Sequence, residues 1–261
     1  MVATAKEGSS SGAQVVVFSS RAEIAAAALT ICNKAYGDAV AARGRFTIVA
    51  AGGSTPKVLY ELLAQQPWDW SQVHVFWGDE RYVPVSDPQS NEGMARLAWL
   101  DHVPILPTHV HPMPTAEGNP MVSATKYAAE IADCFSQWSD AWTDDLGETF
   151  QRLPVFDLVL LGMGDDGHTA SLFPHTAALA VAEQWVTVGN KGGEPRLTLT
   201  APVLNAARQV LFMAEGAAKA PALAAVLAPE GDSQIYPARL INHNGRGNVT
   251  WLVDHRALGA E

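Results

Sequence analysis

Phe156-Asp157-Leu158-Val159-Leu160-Leu161-Gly162-Met163-Gly164-Asp165-Asp166-Gly167-His168 is the stretch on which the reading of this chain turns. Its first half is an almost continuous apolar run, the pattern of a strand covered on both faces as in a parallel sheet. The run stops at a loop holding three glycines, Gly162, Gly164 and Gly167, which frees the backbone to present a histidine with acids beside it. Ligands of open parallel sheets bind outside the carboxyl ends of the strands, so this loop is the first place to look for chemistry.

Working outward, the same strand-then-loop pattern recurs. Residues Gln14 to Phe18 carry the β-branched run Val15-Val16-Val17, and Ser20-Arg21-Ala22-Glu23 has the spacing of a helix capping box. An Ala-rich helix is predicted over 21–43, closing near Gly44. Phe46 to Ala50 reads as a buried strand that runs into Gly52-Gly53-Ser54-Thr55-Pro56, with Val58, Leu59, Leu62 and Leu63 on one face of the helix that follows. Val73 to Trp77, Phe156 to Leu161, Leu197 to Thr200, Val210 to Met213 and Val249 to Val253 are further strands, and a helix is predicted over about 217–227. This alternation predicts an α/β fold: a three-layer, Rossmann-like, mostly parallel sheet with helices on both faces. Residues 83–120, rich in Pro and His, read as a long excursion on the active-site side. Residues 1–12 are small and polar and are expected to be a flexible tail, leaving 13–261 as a single domain.

Composition narrows the function. At 261 residues, with 48% hydrophobic and 17% charged, the chain can bury a large core. Seventeen Lys and Arg against 27 Asp and Glu give a net charge of −10, with no basic cluster, so no nucleic-acid partner is expected. No apolar run reaches membrane length, so no membrane partner is expected either. Cys32 and Cys134 are the two cysteines; without a C-x-x-C pair or a disulfide framework they fit a reducing cytoplasm.

Four segments that follow or border predicted strands hold more polar residues than packing needs. Gly52-Gly53-Ser54-Thr55 can turn bare amides and two hydroxyls toward an oxyanion at a helix N-terminus, the alternative being a tight turn with Thr55 as N-cap. It is neither a P-loop nor a dinucleotide fingerprint, so no nucleotide cofactor is implied. Gly78-Asp79-Glu80-Arg81-Tyr82 sets two acids and a guanidinium at the end of an apolar strand, either to clamp a phosphate or to close a loop through a local charge network. In the loop Gly162 to Pro174, His168 can exchange a proton near neutrality and Asp166 can orient its ring, while Asp165 is read as solvated. Pro195-Arg196-Leu197-Thr198 and Gly216-Ala217-Ala218-Lys219 supply cations, and a lysine in a first helical turn makes sense if it faces an anion. Asp165, Asp166, His168 and His175 are of metal-ligand type, but no second histidine has helical zinc spacing, and His102, His109 and His111 read as loop residues; no metal is expected. Ser171 lacks the elbow of a serine nucleophile.

In their order along the chain these motifs resemble the glucosamine-6-phosphate isomerase/6-phosphogluconolactonase family: Ala51 to Pro56, Trp77 to Pro84 with Ser90-Asn91, Gly162 to Pro174, Pro195 to Thr198 and Gly216 to Lys219. The resemblance implies the glucosamine-6-phosphate deaminase-like fold and hydrolysis of 6-phospho-D-glucono-1,5-lactone to 6-phospho-D-gluconate, the second step of the oxidative pentose phosphate pathway, without a cofactor. It implies that His168 is the general base acting on water, that Asp166 is its partner, and that Gly52, Gly53, Ser54, Thr55, Asp79, Arg81, Gly164, Arg196 and Lys219 contact the substrate and its phosphate. The chain would act on this small molecule as a monomer or homodimer. The related deaminases continue from the histidine to Glu-Pro, whereas His168 is followed by Thr169-Ala170-Ser171, with no acid for their proton relay. A deaminase-like isomerase and a non-catalytic sugar-phosphate-sensing module are the competing readings; the latter needs an output domain, and no helix-turn-helix precedes Val15.

Overall fold

In the computed structural model the described residues are 5–6, 13–115, 118–140, 152–241 and 248–260. In chain order they form β1 (Ala5–Lys6), β2 (Gln14–Phe18), α1 (Arg21–Arg43), β3 (Phe46–Ala50), α2 (Ser54–Leu63), β4 (Val73–Trp77), β5 (Asp79–Arg81), α3 (Asn91–Ala98), β6 (Val110–His111), α4 (Pro120–Ser136), β7 (Leu158–Leu161), β8 (Val186–Lys191), β9 (Glu194–Leu199), α5 (Ala201–Ala206), β10 (Gln209–Ala214), α6 (Ala220–Leu227) and β11 (Asn248–Asp254). Eight strands make the main sheet in the order β1-β2-β11-β10-β7-β3-β4-β6. Every pairing in it is parallel except that of β1 with β2.

The sequence shows why these segments take these forms. Ser20 caps α1 by accepting from the Glu23 amide, and the Glu23 carboxylate accepts in turn from the Ser19 amide, while Gly44 closes the helix in the left-handed region. All residues of β3 and β7 are buried, as their unbroken apolar runs require of central parallel strands. Side chains alternate across β3 and β4, and the two faces meet different helices. Phe46 packs edge-on against Tyr36 of α1, whereas Phe76 packs against Phe135 of α4. Helices therefore cover both faces, as expected. Among the described residues no helix is long and apolar enough to cross a membrane.

Three expectations need correction. Leu197 to Thr200 does not join the main sheet: Leu197–Leu199 belong to β9, the middle of a separate antiparallel sheet ordered β5-β9-β8. Strand β8 and the Gly192-Gly193 turn that joins it to β9 carried a hairpin signal that the α/β alternation overshadowed; both glycines have positive φ, 62° and 96°. The least patterned region, 83–120, contributes the helix α3 and the edge strand β6, which pairs with β4, and buried Glu80 organises the start of α3. The Glu80 carboxylate accepts from the amides of Arg81, Asn91 and Glu92 and from the Ser90 hydroxyl, which fixes the start of α3. Burial pushes its pKa up despite those bonds. Third, the strand expected over 156–161 pairs only from Leu158 onward. Of the expected tail, Ala5 and Lys6 form β1, and the other residues of 1–12 lie outside the described residues.

Candidate active site

The carboxyl ends of β3, β4 and β7 open onto a cavity of about 290 Å³. Gly52, Gly53, Asp79, Arg81, Gly164, His168, Arg196 and Lys219 all line it, so segments far apart in the chain converge where the strand pattern put them. Asp166 stands behind His168 rather than on the wall. Ser54 and Thr55 do not line the cavity: Ser54 is exposed and Thr55 is buried. The reason is local. Helix α2 starts at Ser54 and its N-cap is Gly53, at φ 110°, not Thr55; the two hydroxyl residues therefore belong to the first turn, and what that turn offers is amides.

The loop after β7 builds the acid–histidine pair. The Asp166 Oδ1 atom lies 2.5 Å from His168 Nδ1 and also accepts from the His168 amide at 3.1 Å. Gly164 makes this possible by having no side chain: a Cβ there would sit 2.0 Å from His168 Nδ1 and 2.6 Å from Asp166 Oδ1. The bond to His168 holds the Asp166 pKa down at about 2. Ionised, the carboxylate can only accept, so the Nδ1–H of His168 donates and the lone pair of the neutral ring resides on Nε2. The ring packs against Phe173, centroids 4.5 Å apart, and the Arg196 guanidinium stands 5.4 Å from the same Phe173 ring.

Positive charge is gathered without full internal compensation. Arg81 of β5 and Arg196 of β9 are directly paired across the small sheet, an arrangement of like charges that costs stability unless an anion joins them. Burial, and then the Arg81 charge, lowers the Arg196 pKa. The Nε atoms of both arginines and Asn91 Oδ1 are buried without a hydrogen-bond partner. Asn91, which also lines the cavity, approaches so closely that a Cβ on Gly52 would fall 1.9 Å from its Oδ1. Lys219 does not begin a helix; it ends a 3-10 turn before α6, and its Nζ pairs with Asp165 at 2.5 Å, so Asp165, exposed as expected, is in addition an ion-pair partner. The Asp79 carboxylate accepts from the Ser171 hydroxyl at 2.6 Å, and Ser171 is fully buried, out of reach of a substrate.

One lining cation went unread: Lys191, at the end of β8, whose ammonium stands 5.7 Å from the Phe173 ring. The Gly192-Gly193 hairpin beside it was its available signal. Ala170, on the cavity wall at φ 46°, marks a further constrained backbone position that no sequence pattern announces.

A parallel sheet whose carboxyl edge gathers an acid–histidine pair and unpaired guanidinium atoms is an α/β scaffold shaped to receive a small anionic molecule. Comparison with known proteins gives this class its family. Residues 19–251 match the family model described as glucosamine-6-phosphate isomerases/6-phosphogluconolactonase. The chain is 52% identical over 219 residues to a 6-phosphogluconolactonase of Synechocystis, covering 84% of this chain and 86% of that one. A Mycobacterium tuberculosis 6-phosphogluconolactonase is 37% identical over 232 residues, with 85% and 88% covered. The solved 6-phosphogluconolactonase of Trypanosoma brucei superposes with a TM-score of 0.82 at 30% identity, covering 96% of this chain and 99% of that one. A monomeric glucosamine-6-phosphate deaminase shares the fold, with a TM-score of 0.73 at 18% identity over 95% and 99% of the two chains. The chain belongs to the glucosamine-6-phosphate isomerase/6-phosphogluconolactonase family.

Proposed function

We propose that this chain is an enzyme that hydrolyses 6-phospho-D-glucono-1,5-lactone to 6-phospho-D-gluconate, with His168 as general base. The relatives at 52% identity, which carry that activity in their names, support the reaction. The observation that carries the assignment of the base is the His168–Asp166 pair at 2.5 Å beside a cavity with converging cations.

The geometry supports the following steps. Nε2 of His168 takes a proton from water as the water oxygen adds to the lactone carbonyl carbon, and Asp166 stabilises the resulting imidazolium through Nδ1–H. Negative charge builds on the carbonyl oxygen. The tetrahedral intermediate collapses by breaking the bond from that carbon to the ring oxygen, which takes the proton back from His168. Arg81, Arg196, Lys191 and Lys219, with the bare amides around Gly53, provide the positive field that the phosphate and the developing oxyanion need. Anchoring the phosphate orients the ring for attack, so remote binding energy lowers the barrier. Asp79, held by Ser171, and Asn91 are placed to bind the sugar hydroxyls. No acid follows His168 where the deaminase reaction needs one, which favours hydrolysis over isomerisation. Nucleic acid has no place in this reading, and two free buried cysteines suit a cytoplasmic setting.

The test generates the lactone in situ from glucose 6-phosphate and follows its disappearance against spontaneous opening. Acceleration abolished in His168→Ala is expected. Equal rates with and without the protein, together with tight binding of 6-phosphogluconate, would replace the enzyme by a sensing module.

A further inference from the structure

We infer that His74, His111 and Cys134 form a second site, for a zinc-like transition-metal ion, on the α4 face of the main sheet. The three side chains come from separate elements: His74 is the second residue of β4, His111 ends β6, and Cys134 lies in the last turn of α4. Among the described residues this is the one group of three or more His, Cys, Asp or Glu whose donor atoms converge, all within 4.8 Å of one another.

The distances match a metal's coordination sphere. His74 Nδ1 and His111 Nε2 are 3.2 Å apart, and Cys134 Sγ lies 3.8 Å from His111 Nε2 and 4.0 Å from His74 Nδ1. With Zn–N bonds of about 2.0–2.1 Å and a Zn–S bond of about 2.3 Å, a tetrahedral ion places its nitrogens about 3.3 Å apart and sulfur about 3.6 Å from each. The nitrogen pair already has that spacing, and the thiol needs a shift of a few tenths of an ångström. Soft sulfur with two imidazoles selects zinc or its neighbours over calcium or magnesium.

The surroundings support the same reading. The other ring nitrogen of His111 lies 3.1 Å from Glu130 Oε1, one helical turn before Cys134, and a carboxylate in that position fixes the tautomer that leaves Nε2 free to ligate. The His109 ring stacks on His74 at 3.8 Å and stiffens it. The cluster borders a cavity of about 550 Å³, with Asp133 and Gln137 on its wall, which gives an ion an entry path and a fourth position for water or a carboxylate. The adjoining Arg45 guanidinium is engaged by Asp140 at 2.7 Å.

The site departs from the sequence expectation of no metal, in which His111 counted as one of several loop histidines; folding buries it and brings it to two ligands distant in sequence. A bound ion would tie the two-residue edge strand β6 to β4 and α4, a structural clamp remote from the lactone chemistry.

Cobalt titration of the metal-free, full-length chain tests this. About one equivalent of Co²⁺ should bind with a cysteinate-to-cobalt charge-transfer band and tetrahedral d–d bands, and Zn²⁺ should displace it. Cys134→Ser should lose the charge-transfer band and the rise in thermal midpoint caused by zinc while hydrolysing lactone at the wild-type rate. Cys32→Ser and His168→Ala should keep the band. Should Cys134→Ser fail to fold, His74→Gln serves in its place, with cobalt affinity lowered at least about tenfold. A wild-type chain without the band at saturating cobalt, or a band that survives Cys134→Ser and vanishes in His168→Ala, overturns the proposal.

Discussion

The two ends of β7 carry charge in opposite ways. At the amino end, the buried Asp157 carboxylate receives Arg43 at 2.7 Å, Arg208 at 3.3 Å, and the amide and hydroxyl of Thr47 at 2.8 and 2.9 Å. Its acceptor sites are used within the fold, and the Thr47 hydroxyl also accepts from the Asp157 amide. At the carboxyl end, the Nε atoms of Arg81 and Arg196 and the Oδ1 of Asn91 are buried without partners, and two arginines face each other across a strand pair. Buried polar groups are ordinarily satisfied; Arg43 Nε at the amino end also lacks a hydrogen-bond partner, so what sets the carboxyl end apart is that its open atoms belong to residues lining a cavity, where the proposed substrate would meet them.

Breaking the proposed catalytic pair should have the largest effect. His168→Ala is expected to lower kcat by about a hundred- to ten-thousand-fold, the range of a general base, while 6-phosphogluconate still binds and the thermal midpoint holds. A parallel fall in stability would mean the histidine is structural. Gly164→Ala follows: its Cβ displaces the His168 ring from Asp166, and a misplacement of about 1 Å costs about a hundredfold in kcat with KM little changed.

Substituting at each end of β7 sharpens the contrast. Asp157→Ala strands Arg43 and Arg208 around a buried vacancy and should cost about 3 kcal/mol by denaturant unfolding, with KM unchanged. Arg196→Gln should do the reverse. KM for the lactone rises by about tenfold or more as a phosphate contact is lost, and stability stays level or improves because the like-charge pair with Arg81 is relieved. If Arg196→Gln destabilises the fold and spares KM, the open set at the carboxyl end is not a binding surface.

Much of this division was legible before folding. Unbroken apolar runs such as Phe46 to Ala50 have a single sensible environment, the centre of a parallel sheet, and β2, α1, β3 and β4 begin and end where the pattern placed them. The convergence of Gly53, His168 and Lys219, and of Asp79 just past β4, was legible for the same reason, since loops at the carboxyl ends of parallel strands share one edge, whereas Arg196 arrives through the pairing of β9 with β5. The rest depended on long-range pairing. Lys191 reaches the cavity only because β8 pairs with β9 and β9 with β5; the adjacent Gly192-Gly193 turn signals the first pairing, but nothing local encodes the second. The ion pair of the exposed Asp165 with Lys219 joins two loops distant in sequence. The His74, His111 and Cys134 cluster is built from residues 23 to 60 positions apart on three elements, beyond any motif spacing.

The smallest expected effect lies in Asp166, whose carboxylate is bonded to the ring of His168, the proposed general base. Its pKa falls from the usual 3.8 to about 2, first through the hydrogen bond from His168. A carboxylate whose folded value lies below its unfolded value adds stability that is complete above the unfolded value and disappears as pH falls through the folded one. The difference in unfolding free energy between the wild type and Asp166→Asn should therefore be flat from neutrality down to about pH 5, shrink between roughly pH 4 and pH 2, and vanish below. Because the Asp166 side chain is 46% exposed, solvent screens the pair and the plateau should be small, well under that of Asp157. Denaturant midpoints for both proteins at stepped pH measure it. A plateau as large as that of Asp157→Ala would make Asp166 a fold-holding charge like its counterpart at the other end of β7. A flat, small difference that ends near pH 2, paired with a kcat loss in Asp166→Asn that restoring stability with osmolyte does not repair, keeps its work at the histidine.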